Sequence, residues 1–296
     1  MLLLLICILF NAYISVVFKI FAKYEVRTLQ AIVLNYFICA LTASVVMGKP
    51  AVTLEVVEKP WLWAAIFIGF NFVITFNLFA QTVQRFGVVM GSVFQKMSLI
   101  APTLAAIIIY NESAGWIKLL GIILAICSIF LISFSNPDSS DQSDEAQEPK
   151  IASWMWVFPI GTFLGSVIVD GGLFYVNQTG LANSNDIDFV ATLFFFAGCL
   201  GVLFAIYDYF RNGVTFRKKE VIAALGLGIP NFFSIWFLLK VLSNGMDGSV
   251  VFPINNVGIL FMSAILGLIF FSERFNTRKV LGLAMAIGAI VMIALG

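Results

Sequence analysis

The chain has 296 residues, 61% of them hydrophobic and only 11% charged, with 17 Lys+Arg against 16 Asp+Glu and no histidine. A soluble domain carries roughly a quarter charged residues, so this composition cannot cover a water-facing surface, and it excludes a soluble enzyme and a secreted disulfide scaffold. A net charge of +1 offers no basic field for nucleic acid.

A membrane helix takes about 20 apolar residues, and a charge at the bilayer centre costs at least about 2.5 to 3.5 kcal/mol on insertion scales. Uncharged windows therefore mark the spans. They predict ten helices, at 2–22, 29–48, 61–81, 87–110, 115–135, 153–177, 187–208, 221–241, 248–271 and 278–296. The opening MLLLLICILF lacks the positive n-region and small-residue cleavage site of a signal peptide and reads as the first span. Eight helices are uncharged through their middles; the fourth contains Lys96 and the sixth Asp170. Between the fifth and sixth, NPDSSDQSDEAQEPK sets Asp138, Asp141, Asp144, Glu145 and Glu148 against Lys150 and is too polar to pack. It predicts a flexible acidic linker over 136–152 between units at 1–135 and 153–296.

Cys7, Cys39, Cys127 and Cys199 each sit singly in apolar runs, and without a C-x-x-C pair or a histidine they form no soft metal site. They read as small core residues, and neither a metal nor a cofactor is expected.

An offset of 161 aligns 87–133 with 248–294 without a gap. Gly87/Gly248, Glu112/Glu273, Lys118/Lys279, Leu120/Leu281, Gly121/Gly282, Ala125/Ala286 and Ile126/Ile287 are identities, and apolar composition alone does not pair Glu, Lys and Gly in this way. One residue out of that register, Asn71-Phe72 matches Asn231-Phe232. The sequence thus predicts a duplicated five-helix unit, and because five is odd the second copy enters the membrane inverted. The expected fold is an all-α membrane protein of ten transmembrane helices in two inverted five-helix repeats.

The pattern of a helix ending in Glu112 and then Lys118-Leu-Leu-Gly121 opening the next, repeated as Ser-Glu273-Arg274 and Lys279-Val-Leu-Gly282, resembles the drug/metabolite transporter superfamily, specifically EamA-like ten-helix carriers. The resemblance covers both halves. It implies a secondary transporter that moves a small metabolite or drug-like solute across the bacterial inner membrane by alternating access, with the fourth and ninth helices lining a central cavity. Orientation stays open. The odd loops hold Lys19, Lys23, Arg27, Arg85, Lys150, Arg211, Arg217, Lys218, Lys219, Arg274, Arg278 and Lys279, and the even loops only Lys49, Lys59, Lys118 and Lys240. The positive-inside rule then puts both termini outside, whereas the resemblance implies termini inside.

Lys96 falls about ten residues into the fourth helix, near mid-bilayer, where an ammonium needs a partner, water or a substrate anion. Ser92, Lys96 and Thr103 share one face at spacings of four and seven, and Pro102 frees the Ser98 carbonyl four residues earlier. Lys96 is expected to bind a carboxylate, phosphate or other electronegative group; the alternative is a lysine paired to a neighbouring helix. Gln95 maps onto Asn256, beside Asn255 and Pro253, which frees the Ser249 carbonyl. These amides suit a polar cavity or serve as interhelical bonds, worth about 0.6 kcal/mol each on average. Asn71 and Asn231, followed by Thr75 and Ser234, are matched across the repeat, and Trp236, Asn77 and Tyr175 are secondary candidates.

Asp170 is the acid deep enough to carry a proton, since a chain without histidine must couple through a carboxylate. At 1.5 Å per residue it lies roughly 10 Å along the membrane normal from Lys96, which leaves direct pairing open; the alternative is a helix-end acid beside Gly171-Gly172. Glu112 and Glu273 stand at helix C-terminal ends, unfavourable for an anion, and are expected to find partners among Lys118, Arg274, Arg278 or Lys279. Gly121-x-x-x-Ala125 and Gly282-x-x-x-Ala286 read as packing seams, within the bundle or toward a partner subunit. With no P-loop, G-x-S-x-G elbow or Cys/His pair, a multi-pass carrier is preferred to an enzyme. The rivals are an intramembrane lipid-handling protein (a flippase or enzyme) and a membrane sensor. The expected partners are a small-molecule substrate, the bilayer and protons, not nucleic acid, with the chain a monomer or homodimer.

Overall fold

In the computed structural model, residues 2–109, 115–133, 152–182, 186–243, 248–273 and 276–295 are described. The acidic linker and Glu112 lie outside them. Each apolar run becomes a helix, ended where the chain offers a residue suited to leaving one. Helix α1 (Leu2–Lys23) is followed by α2 (Thr28–Met47), which stops at Gly48 in the left-handed conformation. A short 3-10 turn at Leu54–Glu58 leads to α3 (Leu62–Phe86), closed by Gly87 with φ +97°.

The predicted fourth helix is not continuous. It consists of α4 (Val88–Lys96), a 3-10 turn at Met97–Leu99 and α5 (Ile100–Ile108). The proline at 102 lacks the N–H that would bond the Ser98 carbonyl, and the Ser98 hydroxyl is bonded at 2.6 Å to the Gln95 carbonyl. The backbone tightens at that turn, directly after Lys96.

The remaining helices are α6 (Trp116–Ser133), α7 (Val157–Gln178), α8 (Ile187–Asn212), α9 (Lys218–Ser243, with Pro230 inside), α10 (Gly248–Phe271) and α11 (Thr277–Leu295). Asp186 caps α8 by accepting the Asp188 amide at 3.1 Å. The third helix runs five residues past its predicted end, since Gln81 and Gln84 do not interrupt an apolar helix.

Eight helical segments among the described residues are long and apolar enough to cross a bilayer: those of α1, α2, α3, α7, α8, α9, α10 and α11. The split fourth helix and the shorter apolar run of α6 complete the ten predicted. The bundle's rim carries Leu5, Phe67, Leu203, Phe210, Phe261 and many other exposed large hydrophobic side chains. Water would not tolerate so much apolar surface, and lipid tails would. The chain is an all-α, multi-pass membrane protein.

The largest packing pairs are α1 with α9 and α10, α2 with α8 and α9, α3 with α7 and α8, α4 with α10, the α4–turn–α5 segment with α7, and α6 with α11. Exchanging α1 with α7, α2 with α8, α3 with α9, α4–α5 with α10 and α6 with α11 maps this set of pairs onto itself. Two cores result. The larger surrounds Phe18, Tyr36, Phe76 and Phe194, and the smaller joins α4, α6, α10 and α11 through Val93, Ala125, Leu260 and Ala289. At the α6–α11 crossing a Cβ on Gly121 would lie 2.9 Å from the Ile293 backbone nitrogen, and Ala125 and Ala286 are buried. The Gly-x-x-x-Ala seams therefore close within the chain.

The two halves are clasped at both ends. At one end Glu220, fully buried, accepts from the Arg217 and Arg27 backbone amides and from the Arg217 guanidinium, which also donates to the Glu25 carbonyl. At the other, Lys49 pairs with Asp188 at 2.8 Å. Both cations lie outside the spans, and their carboxylate partners raise Lys49 and Arg217 above their ordinary pKa ranges.

Candidate functional site

Lys96 ends α4 at the 3-10 turn, near Asp170 of α7 and Cys7 of α1. The side chain is deep yet keeps accessible surface, as does Asp170 of α7. The two lie close enough to interact electrostatically, and Cys7 of α1 lies near Lys96. Between described residues the direct ion pairs are Lys49–Asp188 and Arg217–Glu220. Lys96 and Asp170 thus share a field without touching. A deep ammonium that is not neutralised by contact must be served by water or by a ligand.

Asp170 is anchored by Ser98, whose hydroxyl donates to Oδ2. The helix break brings this about, because an uninterrupted α-helix would not hold Ser98 in the turn beside α7. The roughly 10 Å axial separation expected from the spans is therefore no obstacle to coupling.

Near Lys96, the single Cys7 thiol proton is shared between the Ser234 carbonyl of α9 at 3.0 Å and Asn255 Oδ1 at 3.3 Å. Asn11 Nδ2 donates to the Cys7 carbonyl at 3.0 Å. One turn along α4, Ser92 meets Ser15 of α1, oxygen to oxygen, at 3.3 Å. The sequence singled out Lys96, Ser92, Asn255 and Asp170, and the structure brings them together across α1, α4, α7 and α10. Gln95 and Asn256 are partly accessible neighbours in sequence of this group.

Other candidates stand apart. Asn231 is buried against α2, donating to Asn35 Oδ1 at 3.3 Å and toward Cys39 Sγ at 3.6 Å. Asn71 donates to the Phe67 carbonyl of its own helix at 2.9 Å, and Asn77 to Val73 at 3.0 Å. Trp236 belongs to an α9 aromatic run, stacked on Phe232 and under the Lys240 ammonium at 4.7 Å; Phe237 of that run stacks on Phe10 of α1. Tyr175 is exposed. The side chains of Thr103 and Pro253 lie outside those described.

Sequence reasoning passed over Cys7, Asn11 and Ser15. Their spacing of four along α1 was the available signal, a polar stripe masked by a cysteine and a serine that read as small core residues. Glu273 also differs from expectation. Its carboxylate accepts from the Val88 amide at 2.6 Å and the Val89 amide at 3.5 Å, partners contributed by the backbone of the other half. Although it follows the C-terminus of α10, it caps the N-terminus of α4, where an anion is favourable. Among the described residues no group of three His, Cys, Asp or Glu could hold a metal.

An all-helical bundle with an apolar rim and two ionisable residues inside its spans defines a polytopic membrane protein. The EamA-like transporter family model matches residues 1–134 and 153–295, and the chain belongs to that family. An uncharacterized protein of Haemophilus influenzae (strain Rd) is 28% identical over 293 residues, covering 97% of this chain and 95% of that one. A solved protein crystal structure is similar in fold, with a TM-score of 0.61 at 16% identity over 99% of this chain and 96% of the other.

Proposed function

We propose that the chain is a secondary transporter that carries a small metabolite or drug-like solute across the bacterial inner membrane by alternating access, and that it is not an enzyme. The observation that carries this reading is Lys96: a deep ammonium at a helix break, within the field of Asp170 but outside direct contact, with hydrogen-bonding groups of α1 and α10 beside it. Lys96 engages an electronegative group of the solute, while Gln95, Ser92, Asn255 and Asn256 supply donors and acceptors that cost less to desolvate than charges. Asn71 bonds its own helix and Trp236 packs in the α9 aromatic run, while Asn231 chiefly binds α9 to α2. The packing pattern supports two inverted repeats, 1–135 and 153–296, joined by the acidic linker, because exchanging the halves maps the largest helix pairings onto one another. The α6–α11 seam is used within the chain, which favours a monomer over a homodimer.

Asp170 is the proton-coupling group. The Ser98 hydroxyl has one proton but touches two acceptors, the Asp170 carboxylate and the Gln95 carbonyl. With Asp170 ionised, Ser98 donates to it. With Asp170 protonated, the acid donates to Ser98 and the serine proton serves Gln95. A proton arriving at Asp170 also removes the negative field at Lys96 and so alters how strongly that lysine attracts an anion.

The test is a screen of amino acids, nucleotides, sugars and cationic drugs for saturable uptake into liposomes holding the purified protein, with and without a pH gradient. For the solute found, Asp170→Asn is expected to abolish gradient-driven accumulation while leaving exchange across the membrane. Gradient-driven uptake that survives Asp170→Asn removes the coupling role, and no saturable flux of any solute favours the sensor or lipid-handling alternatives.

A further inference from the structure

The bonds made by Glu273 reach across the two halves of the chain. Val88 and Val89 are the first residues of α4, and their amides have no intrahelical acceptor. The Glu273 carboxylate from beyond α10 takes both. Two glycines make room for it: a Cβ at Gly87 would lie 2.6 Å from Oε1, and one at Gly267 2.9 Å from Oε2. Gly87 is also held at φ +97°, a conformation that side-chain-bearing residues rarely adopt. Helix α4 is thus a rod about 13 Å long, tied at one end by Glu273 and ending at Lys96, directly before the 3-10 turn.

The face of α10 between this tie and the site carries a second sign. Gly267, Ser263 and Asn256 recur at spacings of four and seven and so lie along one face. Ser263 is fully buried, and its Oγ has no hydrogen-bond partner among the described residues. A buried hydroxyl without a partner is costly, and water would satisfy it if this face were wet in another state.

We propose that Glu273 is the latch that closes the bundle at its Gly87 end, and that its release lets α4 pivot at Met97–Leu99 and opens the Lys96 site to that end. Glu273 is a positioning residue that acts through α4. The inference rests on the alternating-access reading and adds to it the residue that holds one gate shut.

Ser263→Cys, placed in a chain whose four native cysteines are alanine and reconstituted in liposomes, reports the gate through its rate of reaction with a membrane-impermeant thiol reagent applied from either face. Glu273→Ala is expected to raise labelling from the Gly87 end at least tenfold. Glu273→Gln keeps an acceptor for the Val88 amide and is expected to stay within threefold of the parent. Should Glu273→Ala fail to fold, Glu273→Asp, which withdraws the carboxylate by one methylene, is expected to give the same increase. Equal labelling in the parent and in these variants overturns the latch. No saturable flux of any solute in the same liposomes overturns alternating access whatever the labelling shows, so the two failures are distinct.

Discussion

Lys96 and Asn231 show how the same polar chemistry serves opposite ends inside a membrane. Asn231 spends its amide on Asn35 and Cys39 of α2, so it joins helices. Asn231→Ala is expected to lower stability by about 1 kcal/mol, between the average and the largest values for interhelical bonds, while leaving solute affinity within about twofold; reversible unfolding in mixed micelles and ligand binding measure the two. Lys96 keeps accessible surface and has Asp170 as its field, not as its contact. The lysine and the aspartate were legible in the sequence because a charge inside a span is too costly to be idle. Their coupling was not, since it depends on the Ser98 turn and its bond to Asp170 of α7, which hydropathy does not encode. Cys7 and Asn11 stayed hidden because cysteine is ordinary in a core.

At the scale of the element, the spans followed from hydropathy, and ends differed where polar but uncharged residues allowed a helix to run on, as at Gln81 and Gln84 of α3. Pro102 foretold a freed carbonyl, and the structure turns that into a break that makes two helices of one. The partner of Glu273 was illegible, because a backbone amide contributed by the other half leaves no trace in side-chain spacing. The α6–α11 crossing depends on a small residue at closest approach. Gly121→Ala would set a methyl 2.9 Å from the Ile293 backbone, which cannot rotate away. It is expected to cost about 1 to 3 kcal/mol, as overpacking does, and to appear as a lower midpoint of thermal unfolding in detergent; an unchanged midpoint would place the helices further apart.

The whole molecule is two halves held at opposite ends by unequal clasps, a buried, many-bonded Glu220 cluster and a single exposed Lys49–Asp188 pair. Arg27, Arg211 and Arg217 lie at the Glu220 end, and the positive-inside rule predicts that this end faces the cytoplasm with both termini outside. A reporter fused at Gly296 and active only outside is the expected result; activity only in the cytoplasm gives the orientation that the family resemblance implies. The central claim is that the Lys96 site carries the solute. It is tested most directly by counterflow of the screened solute in liposomes, comparing the parent with Lys96→Ala after both show the same helical content and unfolding midpoint. The account predicts at least a tenfold fall in saturable flux on losing Lys96, and a folded Lys96→Ala protein that exchanges solute at the parental rate would contradict it.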